Sequence, residues 1–150
     1  MKLIAKNKKA YHDYEILDTL EVGVVLTGDE VKSLRAGNVS MAGAFATIYR
    51  SELYLINCHI SPYQQAYRKS DEEASRRRKL LLHRRELDRI IGEVSRKGVT
   101  LVPLRLYFNK RNIAKIELGL CRHKKAPSKK KELKERDIRR EARRELKHGG

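Results

Sequence analysis

Apolar side chains recur at every second position in several stretches of the chain. Between Tyr14 and Leu26 they stand at Tyr14, Ile16, Leu20, Val22, Val24 and Leu26, interrupted only by Asp18, while Glu15, Thr19, Glu21 and Thr27 fall mainly on the other face. Such alternation marks a long strand with one buried face. Gly23 inside it predicts a bulge or sharp bend, which a strand needs to serve two sides of a small barrel. Ala44 to Tyr49 and Leu53 to Asn57 are shorter strands flanking an Arg50-Ser51-Glu52 turn. Thr100 to Phe108 places Val102, Leu104, Leu106 and Phe108 inside, with Arg105 and Tyr107 outside. The next run places Ala114, Ile116, Leu118 and Leu120 inside, with Lys115 and Glu117 outside, and Asn109-Lys110-Arg111-Asn112 joins the two as a hairpin. Pro103 donates no ladder hydrogen bond, so it belongs at an edge or a bulge.

Two helices interrupt this pattern. Thr27-Gly28-Asp29-Glu30 is a capping box, with Thr27 accepting from the N3 amide and Glu30 reaching back. The helix it opens is short, because Gly37 supplies a left-handed stop. A second helix covers roughly Arg84 to Lys97, with Leu87, Ile90, Ile91 and Val94 along one face and Gly98 at its end. Five or six short strands, two small helices and no βαβ rhythm predict a mainly β protein: an OB-like closed β-barrel with short flanking α-helices.

Charge changes the picture at the C-terminal end. The 150 residues hold 35 Lys and Arg against 19 Asp and Glu, a net charge of +16. Residues 122–150 hold thirteen of those cations and five of the acids, half the net charge in a fifth of the chain. Their apolar residues are only Ala126, Pro127, Leu133, Ile138, Ala142 and Leu146, too few to offset the entropy of ordering. The chain therefore divides into a barrel over 1–121 and a basic tail over 122–150. Within the tail, Glu132 with Arg136 and Glu135 with Arg139 make helix-favouring pairs, and Ile138, Ala142 and Leu146 form a narrow stripe. That combination predicts a segment disordered when free and helical when laid along RNA. A second basic cluster, Arg76-Arg77-Arg78-Lys79, sits in a stretch from Tyr63 to Leu80 that reads as a loop.

So large a charge points to a polyanionic partner. No apolar run approaches the ~18 residues of a membrane span, and the N-terminus lacks the apolar core of a secretion signal, which predicts a cytoplasmic protein with no membrane partner. Enzyme chemistry finds no foothold. Cys58-His59 and Cys121-x-His123 have the wrong spacing for structural zinc. P-loop, G-x-G-x-x-G and G-x-S-x-G patterns are absent, and Asp71-Glu72-Glu73 is the only carboxylate cluster, in the predicted loop. We therefore expect no catalytic residue, metal or cofactor. Lys6, Lys8 and Lys9 at one end and Lys124-Lys125 at the other face the same phosphates if the barrel brings the ends together. Aromatics are scarce, with seven Tyr, two Phe and no Trp, and Tyr14, Phe45 and Phe108 are read as core. Recognition of an RNA's shape and backbone is expected, more than a base-stacking groove.

Four strings carry a resemblance: Asn7 to Ile16 (NKKAYHDYEI), Gly28 to Gly37 (GDEVKSLRAG), Arg78 to His83 (RKLLLH) and Gly119 to Lys125 (GLCRHKK). In this order, and across nearly the whole chain, they resemble the small protein B family, the bacterial partners of transfer-messenger RNA (tmRNA). The resemblance implies an OB-like barrel that grips the tRNA-like domain of tmRNA near its elbow. It implies entry of that complex into the vacant A site of a stalled ribosome, with the protein standing in for the anticodon arm and its tail forming a helix in the empty mRNA channel. Translation then switches to the tmRNA frame, which tags the product for proteolysis, in the process called trans-translation. It implies a monomer, one per tmRNA, touching the decoding centre and mRNA channel of the small subunit. Matched RNA-contacting positions are Asn7, Lys8, Lys9, His12, Glu30, Lys32, Gly119, Arg122, Lys124 and Lys125. Matched tail positions are Lys129, Lys130, Lys131, Lys134, Arg136, Ile138, Arg139, Arg140 and Arg143. The chain departs from the family pattern at Cys121-Arg122-His123, at Pro127-Ser128 and around Asp71-Glu72. Two other readings are carried: a general single-strand RNA-binding OB module, which predicts more exposed aromatics, and a metal-dependent nuclease or hydrolase.

Overall fold

The long β2 strand (Tyr14–Val24) is the axis around which the rest closes, in a computed structural model that describes residues 1–62 and 74–124. Its partners are β9 (Ala114–His123) along most of its length and β7 (Arg78–Leu81) at its end, where Gly23 pairs with both Leu81 and Lys115. Beyond these lie β4 (Phe45–Tyr49), β5 (Glu52–Ile56) and β8 (Thr100–Phe108). The hydrogen-bonded order β8-β4-β5-β7-β2-β9 closes on itself, because β9 also pairs with β8. A six-stranded ring has no free edge inside it, which removes the main hazard of an open sheet. Strand β1 (Lys2–Lys6) pairs with β8 from outside the ring, and β3 (Val39–Ser40) with β6 (His59–Ile60) makes a separate small ribbon.

Three helices flank the ring among the described residues: α1 (Lys8–Asp13), α2 (Gly28–Arg35) and α3 (Arg84–Lys97). The predicted capping box of α2 is present, with the Glu30 N–H donating to Thr27 Oγ1 and the Thr27 N–H to Glu30 Oε1. Helix α3 stops where its left-handed glycine predicts, at Gly98 with φ 61°. Helix α1, absent from the sequence reading, is set up by Asn7, whose side-chain oxygen accepts from the Ala10 amide.

Several expectations change in the folded chain. The bulge in β2 falls between Ile16 and Asp18, not at Gly23, and it accommodates the Asp18 break in the alternation. In β8 a second bulge lies between Pro103 and Arg105. It flips the side-chain parity, so Leu101, Leu106 and Phe108 enter the main core. Val102 and Leu104 instead join Ala10 and Cys121 in a second, smaller core beneath α1. Tyr107, expected outside, is buried and its hydroxyl donates to Glu21. Phe45, expected in the core, is 37% exposed, because it shares the outward parity of Thr47 and Tyr49. The turn after β4 is only Arg50-Ser51, with both residues at positive φ. Of the stretch read as a loop over 63–80, residues 63–73 lie outside the described residues and Arg78 to Leu80 belong to strand β7, while β9 runs to His123.

Candidate nucleic-acid interface

The two ends of the ring's chain meet. Tyr14 pairs with His123 across the β2–β9 ladder, their rings 4.5 Å apart, and the Lys124 N–H donates to the Asp13 carbonyl at 3.0 Å. This places Lys8, Lys9 and His12 of α1 at the same end as Arg122 and Lys124, with Lys8, Lys9, Arg122 and Lys124 exposed to solvent and the His12 side chain 88% exposed. His12 Nδ1 lies 3.0 Å from Asp13 Oδ1, and that hydrogen bond is the main cause holding the Asp13 carboxyl below its ordinary value. Arg122 and Glu15 stand 3.6 Å apart, a pair too exposed to hold the arginine in place. A cleft of about 260 Å³ opens beside them, with Lys9, Tyr14 and Phe45 in its lining.

Two other matched positions, Asn7 and Gly119, are buried. Asn7 is 7% exposed, and its amide donates to the Pro103 carbonyl at 2.9 Å and the Met41 carbonyl at 3.4 Å. It ties α1 to β8 and caps the helix at once. Gly119 is packing: a Cβ there meets Leu104 Cδ1 at 2.7 Å and Cys121 Sγ at 2.9 Å. Lys32 is exposed on α2. Lys125 and the tail positions from Lys129 to Arg143 lie outside the described residues.

Glu30 is enclosed by hydrogen bonds from three residues. Its side chain is 11% exposed. Arg76 donates from Nε and Nη2 at 3.1 and 2.5 Å, and Arg78 from Nε at 2.8 Å. Arg78 is wholly buried and also donates to the carbonyls of Cys58, Ala74 and Arg76. Burial pushes the Glu30 carboxyl up, but the Arg76 hydrogen bond, the Thr27 amide and Arg78 outweigh it and hold it below its ordinary value. Sequence reading missed this centre. The available signal was parity: Arg78, Leu80 and Leu82 alternate with Lys79 and Leu81.

Burial pushes the thiols of Cys58 and Cys121 up to about 11, away from the thiolate that a nucleophile or metal ligand needs. Among the described residues no three His, Cys, Asp or Glu group to hold a metal, and no helix is long and apolar enough to cross a membrane.

A closed β ring with an exposed cationic end fits a nucleic-acid-binding protein of the small-barrel class. Known proteins narrow that class. The SmpB protein family model matches residues 4–148. An SsrA-binding protein of Carboxydothermus hydrogenoformans is 54% identical over 140 residues, 93% of each chain. That of Thermus thermophilus is 52% identical over 141 residues, 93% of this chain and 96% of the relative. A solved chain described as "tmRNA-SmpB: a journey to the center of the bacterial ribosome" superposes with a TM-score of 0.68 at 49% identity, covering 97% of this chain and 98% of its own. The chain belongs to the SmpB family.

Proposed function

We propose that this protein binds the tRNA-like domain of tmRNA and acts with it on stalled ribosomes in trans-translation. The observation that carries the reading is the junction at Tyr14–His123 and Asp13–Lys124. It collects the cations of two distant segments on one end of a closed ring, and the basic tail begins at that same end. Lys8, Lys9, His12, Arg122, Lys124 and Lys125 are the groups we assign to RNA phosphates and edges, while Asn7, Glu30 and Gly119 hold the surface in shape. Lys32 is assigned to the RNA from the family match alone. Lys129, Lys130, Lys131, Lys134, Arg136, Ile138, Arg139, Arg140 and Arg143 are assigned to the ribosome, as a helix in the empty mRNA channel. The protein itself performs no bond chemistry, needs no cofactor and works in the cytoplasm as a monomer, one per tmRNA.

The test is a tmRNA binding titration beside a reconstituted tagging assay. Deleting residues 127–150 is expected to keep the main RNA grip and abolish tagging. Ile138→Pro is expected to do much of the same damage with no loss of charge, since an interior proline costs a helix ~3 kcal/mol. Equal tagging by Ile138→Pro and the parent shows a flexible polycation in place of a helix. Equal affinity for tmRNA and any unstructured RNA shows the general single-strand binder.

A further inference from the structure

The outward face of three neighbouring strands carries chemistry that the basic end does not use. Alternation along β4, β5 and β7 turns Ala46, Leu53, Leu55 and Leu80 inward, and Tyr49, Tyr54 and Lys79 outward. Register sets Tyr54 beside Lys79 on one side and Thr47 on the other. The Arg77 guanidinium lies 4.4 Å from the centre of the Tyr54 ring and 5.1 Å from that of Tyr49. The Arg50 guanidinium lies 5.3 Å from the Tyr49 ring, which is itself 46% exposed. Neither arginine forms an ion pair with a carboxylate among the described residues; Glu52, the acidic side chain of the hairpin, stands 3.6 Å from Lys79 instead. Aromatic faces hold these two cations, which leaves their N–H edges for an acceptor outside the described residues.

The turn adds an independent observation. Arg50 and Ser51 have φ of 50° and 59°, at the two positions where Asn-Gly is the low-cost choice. A long cationic side chain held in left-handed backbone is the kind of local cost that collects at functional sites.

We propose that this face, centred on Tyr49, Tyr54 and Arg77, stacks unpaired nucleotides of the same tmRNA that the basic end grips, with Arg50 and Arg77 on the adjoining phosphates. Charge selects RNA over a protein partner: the chain is at +16, and the groups here with no carboxylate partner among the described residues are cations flanked by rings. Reach selects the same RNA. Phe45 lines the cleft beside Lys9, and Tyr49 is four residues further along β4, about 13 Å at strand spacing. The inference rests on the tmRNA reading above.

The chain has no tryptophan, so Tyr49→Trp in the full protein keeps a stacking ring and adds a single reporter. Titrated with the tRNA-like domain, it is expected to bind within about twofold of the parent and to be quenched. Tyr49→Ala is expected to lose about fivefold or more in affinity, the low end for a lost base stack. Arg77→Gln is expected to lower the salt slope by about 0.7–0.9. Both side chains are on the surface, so urea midpoints are expected to stay at the parent's value. Absence of quenching in the Tyr49→Trp protein, together with parental binding by Tyr49→Ala, overturns the stacking surface and leaves the tmRNA reading standing. Quenching by ribosomes and not by tmRNA also overturns it. A parent chain that does not bind tmRNA overturns both readings.

Discussion

Two clusters of basic side chains in this molecule are held in opposite ways. At the Glu30 centre, Arg78 is wholly buried, and its guanidinium serves one carboxylate and three carbonyls. At the Tyr14–His123 end, Lys8, Lys9, Arg122 and Lys124 stand in solvent, and the Arg122–Glu15 pair is loose. The first cluster has traded hydration for a fixed set of acceptors inside the protein; the second remains available to acceptors outside it. Cation count therefore does not locate an RNA surface. What separates the two is whether an internal acceptor already satisfies the charge.

The sharpest way to break that contrast is to remove the buried cation. Arg78→Met is expected to cost about 3–5 kcal/mol in urea unfolding, because Glu30 and three carbonyls lose donors in a site closed to water. An effect below about 1 kcal/mol places Arg78 with the solvent-exposed group. Glu30→Gln comes next, at about 1.5–3 kcal/mol, since it keeps the capping geometry and weakens only charge-assisted hydrogen bonds. This loss carries a pH signature. The folded-state carboxyl lies below its ordinary value of 4.5, so its contribution is fully present above that value and is lost as pH falls through the lower folded one. The stability gap between parent and Glu30→Gln is expected to narrow below about pH 4.5. A gap that widens there shows that the carboxyl is not stabilised in its charged form.

Gly119→Ala sharpens the contrast from the packing side. The new methyl meets Leu104 and Cys121, and about 1–3 kcal/mol of destabilisation is expected, with tmRNA affinity of the folded protein unchanged. Weakened affinity at full stability shows instead that the backbone at 119 approaches the RNA. The smallest effect on the fold belongs to the exposed cluster. Lys8→Ala with Lys124→Ala is expected to leave stability within about 0.5 kcal/mol and to lower the salt slope of RNA binding by about 0.7–0.9 for each phosphate no longer neutralised. An unchanged slope takes these two lysines off the RNA.

Local features with a short-range cause were legible in the residues alone. Thr27 and Glu30 sit three apart and cap α2 as read; Gly98 ends α3; the Asn109–Asn112 hairpin joins β8 to β9. The inward set Ala114, Ile116, Leu118 and Leu120 is buried as its alternation says. Parity failed where a bulge intervened, at Leu17 in β2 and Leu104 in β8, since one extra residue moves every later side chain to the other face. Over 76–81, four consecutive cations mask a two-residue alternation, and the strand there reads as loop. Lys8, Lys9, Lys124 and His12 stand exposed to solvent. Asn7, Glu30 and Gly119 stand out as motif positions, and the geometry shows each packed or hydrogen-bonded within the chain.

By itself the sequence determined most strand and helix types, their caps and stops, the +16 charge and its concentration in the tail, because each depends on neighbours within a few residues or on composition alone. The motif strings also carried the SmpB family likeness. Only tertiary structure decided which arginines are spent internally. Glu30 meets Arg76 and Arg78 from 46 and 48 residues away, through closure of the ring. Closure likewise brings Lys124 to Asp13 and turns Phe45 and Tyr49 outward onto one face. Pairing across such separations is set by strand register and by the bulges that shift it, and neither is written in any local pattern.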